Sequence, residues 1–159
     1  MLSNDILRSV RYILKANNTD LARILALGNV DATPEQIAIW LRKEEEEEEE
    51  EGFQRCPDIV LSSFLNGLIY EKRGKDEAAP ALTAERRINN NIVLKKLRIA
   101  FSLKTDDILA ILTGQLFRVS MPEITAMMRA PDHKNFRECG DQFMRYFLRG
   151  LAAREHAAK

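Results

Sequence analysis

The chain is written twice. Displaced by 87 positions, it aligns on itself without a gap: Leu7 falls on Leu94, Arg11 on Arg98, Asp20 on Asp107, Ile24 on Ile111, Ile37 on Ile124 and Arg42 on Arg129. Beyond an acidic run at Glu44–Glu51 the offset becomes 83. It then pairs Phe53 with Phe136, Cys56 with Cys139, Asp58 with Asp141, Phe64 with Phe147, Leu65 with Leu148, Gly67 with Gly150 and Leu68 with Leu151. Seven identities in the 16 positions Phe53–Leu68 stand against roughly one expected from average composition. A duplication constrains the fold strongly, because each half must suit the same local structure.

Each half reads as four helices. In Asn4–Ala16, Ile6, Leu7, Val10, Ile13 and Leu14 follow the stripe of an amphipathic helix, matched by Val93, Leu94, Leu97, Ala100 and Phe101. The N-terminal segment therefore has an internal twin and is a core element rather than a targeting peptide. A short second helix carries Leu21, Ile24 and Leu25, with Ile108, Ile111 and Leu112 as counterparts, and is expected to start at Thr19 and Thr105. The third opens on Thr33-Pro-Glu-Gln36 and Ser120-Met-Pro-Glu123, both capping boxes, and is expected over Thr33–Lys43 in the first half. The fourth is expected over Pro57–Lys72 and Asp141–Arg154.

Residues 73–90 mix Gly74, alanines, Pro80 and charges without an apolar stripe, and read as a linker. The expected organisation is thus a first repeat over residues 1–72, the linker 73–90 and a second repeat over residues 91–156. The fold class is all-α: two tandem four-helix subdomains from an internal duplication. Four short helices make a marginal core alone, so the two are expected to pack against each other.

Charge sharpens the picture. Lys+Arg and Asp+Glu each number 24, for a net charge of zero. Setting aside Glu44–Glu51 leaves 24 cationic against 16 anionic residues. The body is basic, and neutrality comes from one acidic run. That run is read as a low-complexity expansion of a loop, with extension of the third helix, disorder from like-charge repulsion, a tether screening the basic body and a weak Ca²⁺ site as competing readings.

The basic candidates for partner binding lie on the first helix of each repeat: Arg8, Arg11 and Lys15, then Lys95 and Arg98. Such faces suit an acidic protein or a phosphate backbone. Arg145, Arg149 and Arg154 add charge to the last helix. The second and third helices invite a helix-turn-helix reading, but the supposed recognition helix starts Pro34-Glu-Gln36 or Met121-Pro-Glu123, and carboxylates there repel phosphate. Gly67 and Gly150, inside helices where glycine costs roughly 1 kcal/mol, read as points of close helix contact.

Two cysteines and two histidines show no metal-ligand spacing, and the sequence has no phosphate-cradling glycine loop and no serine elbow. Cys56 and Cys139 read as small buried hydrophobes, with a redox pair as the sharper alternative. No cofactor is expected, and nothing argues for an enzyme. No apolar run approaches the roughly 20 residues of a membrane span. The absence of a signal and of disulfide-like spacing points to the cytosol.

The segments Asn4-Asp-Ile-Leu-Arg-Ser-Val-Arg-Tyr12 and Arg87-Ile-Asn-Asn-Asn-Ile-Val-Leu-Lys-Lys-Leu-Arg98, with the paired Phe-x-x-Cys-x-Asp and Phe-Leu-x-Gly-Leu motifs, resemble the bacterial YehS-like family. The resemblance covers nearly the whole chain. It implies a tandem domain of unknown function in a bacterial cytosol, and it supplies no site residues. The expectation is a non-enzymatic interaction or regulatory module with a protein partner. A nucleic-acid-associated regulator using the same basic faces is the alternative.

Overall fold

A computed structural model of the chain describes residues 1–43 and 54–158. These form α-helices without strands and divide into two units, Met1–Ile88 and Asn89–Lys159. The first unit contains α1 (Ser3–Leu14), α2 (Asn18–Leu27), α3 (Pro34–Trp40) and α4 (Asp58–Arg73). The second contains α5 (Asn90–Ala100), α6 (Thr105–Gly114), α7 (Met121–Met127) and α8 (Asp141–Ala157). The tandem four-helix repeat is therefore present. The acidic run Glu44–Glu51 and Phe53, with the readings attached to them, lie outside the described residues.

The apolar stripes fill the two cores. Ile6, Leu7, Val10 and Ile13 of α1 are buried, as are Val93, Leu94, Leu97 and Ala100 of α5. Both helices end on a left-handed residue, Lys15 at φ 53° and Ser102 at φ 54°. The Lys15 N–H bonds back to the Tyr12 carbonyl at 3.2 Å, and the Ser102 N–H to that of Ile99 at 3.1 Å. A second left-handed pair, Asn29 and Leu116, follows α2 and α6. The duplication is thus repeated at the level of backbone torsions.

The start of the second helix differs from the threonine expected. Asn17 caps α2: its side chain accepts the Asp20 N–H at 2.8 Å while Asp20 accepts the Asn17 N–H at 3.0 Å. Thr19 lies inside the helix. Lys104 stands at the equivalent cap of α6, where Asp107 accepts its N–H at 2.7 Å and Thr105 is the first helical residue. A reciprocal Asn–Asp box satisfies two end groups where a threonine satisfies one.

The third helix opens on the expected cap residues, but the full box forms only in the second unit, where Glu123 accepts the Ser120 N–H at 3.2 Å; Gln36 instead donates to Gln54 Oε1 at 3.2 Å. Thr33 accepts the Gln36 N–H at 3.1 Å and Ser120 that of Glu123 at 3.3 Å. It closes earlier than Lys43, however, since α3 ends at Trp40. Side chains of α1 take the Trp40 and Arg42 carbonyls, replacing the bonds that another turn would supply. The helix does not continue to the glutamates.

Backbones meet closely where α2 crosses α4. A Cβ on Gly67 would overlap the Ile24 carbonyl oxygen, and one on Gly28 would overlap that of Ser63. In the second unit a Cβ on Gly150 would stand 2.8 Å from the Ile111 carbonyl oxygen. Ile24 and Ile111 occupy the same repeat position. Close helix contact accounts for both repeated glycines. Gly28 has no such twin, because Gln115 stands in its place.

Residues expected as a linker form a strap. Asp58, Ser62, Asn66 and Tyr70 are spaced one turn apart on α4. Tyr70 Oη accepts the Leu82 N–H at 2.8 Å, and Asn66 Nδ2 donates to the Thr83 carbonyl at 3.0 Å. Ser62 accepts the Glu85 N–H at 2.9 Å and donates to its carboxylate at 2.7 Å. Asp58 accepts the Ile88 N–H at 3.1 Å. The segment runs antiparallel to the helix. From Asp58 to Tyr70 the helix rises about 18 Å, and Leu82–Ile88 spans about 20 Å when extended. The match in length lets successive turns of α4 hold successive parts of the strap.

Candidate functional site

The basic positions of α1 and α5 serve two purposes. Arg8 donates to the Arg42 carbonyl at 3.0 Å and pairs with Asp5. Lys95, at the same repeat position, donates to the Arg129 carbonyl at 3.1 Å. In each unit a cation on the first helix covers the carbonyls just beyond the third, where the helix dipole favours positive charge. Arg8 and Lys95 hold the fold as well as lending charge to the surface.

Arg11 and Lys15 point outward, and Tyr12 between them is 64 % exposed. At the repeat-equivalent position of α5, Ile99 is 44 % exposed beside the half-buried Arg98. The Nε of Arg98 is sealed from solvent with no hydrogen-bond partner among the described residues. Both first helices thus carry an exposed apolar side chain next to a cation, a combination suited to a surface that is partly acidic and partly apolar.

Inside the units lies a site not legible from sequence. Asn4, 0 % exposed, donates to the Trp40 carbonyl at 2.9 Å and the Gln54 carbonyl at 2.8 Å, and accepts the Cys56 N–H at 2.9 Å. Asn91 does the same with Met127, Arg137 and Cys139 at 3.0, 2.9 and 2.9 Å. One amide ties three chain segments, and the pattern is copied bond for bond. Its only advance signal was an asparagine at matching positions on two otherwise apolar stripes.

The cysteines beside these amides are free and buried. Burial, then the neighbouring Asp58 or Asp141, pushes each thiol up to about 12. The thiolate is the nucleophilic form, so these thiols are unreactive at neutral pH. Asp58 and Asp141 stand in the first turns of α4 and α8, and each also accepts a side-chain hydrogen bond. Ser3 donates to Asp58 at 2.8 Å, and Asn90 donates to Asp141 at 2.8 Å. The Asn90 bond is the leading cause holding Asp141 below the usual carboxylate range.

Open surface grooves border the helices among the described residues. One, about 260 Å³, is bordered by Asp20, Arg23 and Glu71; another, about 410 Å³, by Glu123, Arg129 and Arg137. Their charges close on one another: Arg23 pairs with Glu71, and Arg137 lies 3.2 Å from Glu123. Bonds from Ser120 chiefly hold the Glu123 carboxyl below its ordinary range. A carboxylate therefore stands at the start of α7, where a DNA-reading helix would meet phosphate. No three His, Cys, Asp or Glu side chains are grouped to hold a metal ion among the described residues. No helix of the described residues is long and apolar enough to cross a membrane.

A family model described as "Protein of unknown function (DUF1456)" matches residues 3–74 and again residues 90–156. The two matches begin at Ser3 and Asn90, the first residues of α1 and α5. The chain is similar to "Uncharacterized protein YehS" of Escherichia coli (strain K12), at 88 % identity over 159 residues, covering 100 % of this chain and 99 % of that one. No solved structure matches.

Proposed function

Since the chain belongs to the DUF1456 family, whose description states no activity, we propose that it is a non-enzymatic helical module that binds another protein in the bacterial cytosol. The contact surfaces are the outer face of α1 in the first unit, with Arg11 and Lys15, and that of α5 in the second, with Arg98; Arg8 and Lys95 add charge from their capping positions. The observation that carries this reading is Tyr12 and Ile99. Large apolar side chains stand exposed at the same repeat position, each next to a cation. A phosphate backbone has no use for the apolar part, whereas an acidic protein surface with an apolar centre uses both.

The test places a photo-crosslinking residue at Tyr12 or Ile99 in cells, with Lys134 as an exposed control. A discrete protein adduct is expected from the first two positions and not from the third, and Arg11→Glu plus Lys15→Glu should abolish the Tyr12 adduct. Tight binding to duplex DNA or structured RNA, with a steep salt dependence that Arg11→Ala plus Arg98→Ala flattens, would replace the protein partner with a nucleic acid.

A further inference from the structure

In the first unit, four polar side chains of α4 hold an extended segment along the helix. The 83-residue offset places Asp141, Arg145, Arg149 and Ala153 at those same four positions of α8. Beneath the strap, Ser62 and Asn66 are 0 % and 3 % exposed, whereas Arg145 and Arg149 are exposed. Two positions that read peptide backbone in one repeat carry guanidinium groups in the other. The Arg149 guanidinium lies over the Tyr146 ring, 5.2 Å from its centroid, and that ring lies 5.3 Å from the ring of Phe117. The stacking gives one fork a preferred place on an aromatic support.

We propose that this stripe of α8 docks an acidic, extended segment of a partner protein, antiparallel to the helix as Leu82–Ile88 lies on α4. The occupant follows from the charge and the spacing. Guanidinium groups bind carboxylates through paired hydrogen bonds. Side chains one helical turn apart are about 6 Å apart, and alternate side chains of an extended chain are separated by about 7 Å on one side. A Glu-x-Glu segment therefore presents one carboxylate to Arg145 and the next to Arg149. Ala153 lacks the hydroxyl by which Tyr70 holds the strap, so charge replaces a backbone contact in this copy. The proposal does not depend on the role proposed for the α1 and α5 faces.

The probe is a fluorescein-labelled peptide of residues 80–89 carrying R86A and R87E, which creates a Glu-x-Glu spacing with Glu85. It is titrated against the full chain by fluorescence anisotropy at low salt, with hydrogen exchange read along α8. Saturable binding with protection of α8 is expected. Arg145→Ala plus Arg149→Ala should weaken it at least tenfold with an unchanged melting temperature, whereas Arg11→Ala plus Lys15→Ala should leave it intact. A peptide with glutamine for both glutamates should also lose at least tenfold. Absence of saturable binding, or equal binding by the Arg145/Arg149 variant, would overturn the proposal. So would a 20-nucleotide single-stranded DNA that binds more tightly than the peptide through the same two arginines, since the stripe would then be a phosphate site.

Discussion

The side-chain oxygen of Asn4 accepts the backbone N–H of Cys56 at 2.9 Å, 52 positions along the chain. With the two carbonyls that its amide nitrogen reaches, Asn4 satisfies three backbone groups. Replacing Asn4 with leucine leaves those groups without their partner, at about 1–3 kcal/mol for each buried group so abandoned. Urea denaturation of Asn4→Leu and of Asn91→Leu should each show a loss of about 3 kcal/mol or more. A loss below about 1 kcal/mol in both would mean that solvent or rearrangement serves these groups equally well.

The glycine contacts predict unequal penalties. Gly67→Ala puts a methyl group 2.0 Å from the Ile24 carbonyl oxygen, whereas Gly150→Ala meets the stiff Cγ2 methyl of Ile111 at 2.6 Å and its carbonyl oxygen at 2.8 Å, a milder overlap. Overpacking of this kind costs about 1–3 kcal/mol. Both variants should be less stable than the parent, and Gly67→Ala the less stable of the two, in melts of the full chain.

Leu116 is 96 % exposed and left-handed at φ 58°. An ordinary L-residue in that conformation costs about 1–2 kcal/mol, which asparagine partly avoids. The first unit has Asn29 at the same position, at φ 65°. Leu116→Asn should therefore stabilise the chain by about 1 kcal/mol, visible as a higher melting temperature.

The buried thiols predict alkaline sensitivity. Each titrates near 12 in the folded chain and at an ordinary value near 8.5 when unfolded. Between those values the unfolded state has fewer protons bound, so stability is fully present below about pH 8.5 and falls as pH rises toward 12. Denaturation midpoints should decline over that window, and Cys56→Ala plus Cys139→Ala should flatten the decline. A thiol reagent at pH 8 should label the native chain far more slowly than the chain in guanidinium.

Much of this fold is legible in the residues. The stripe of Ile6, Leu7, Val10 and Ile13 identifies a buried helix face, and Thr33 and Ser120 mark where the third helices begin, because periodicity and capping are local. The rest depends on distant chain. Asn4 looks like an ordinary helix-start residue until Trp40, Gln54 and Cys56 arrive around it. Arg8 and Lys95 look like free surface charge until the third helix ends within their reach. The strap has no periodicity of its own; its pattern is on α4, where Asp58, Ser62, Asn66 and Tyr70 read as a polar face. The exposed flanks of Tyr12 and Ile99 were legible only as charge.

The two units also differ in how their second and fourth helices fasten. Arg23 meets Glu71 in one, whereas in the other Asp107 meets Arg154 at 3.4 Å. Position 71 and its repeat equivalent 154 thus have opposite charges. If α6 docked onto α4, Glu71 would face Asp107, with Ala110 where Arg23 should be. Gln115 would also push its Cβ onto the Ser63 carbonyl, a place only Gly28 fits. Exposed ion pairs contribute little to stability, about 0.2–1 kcal/mol. Their value here lies in discrimination: a nascent chain carrying two look-alike halves can reject the wrong helix while both are still folding.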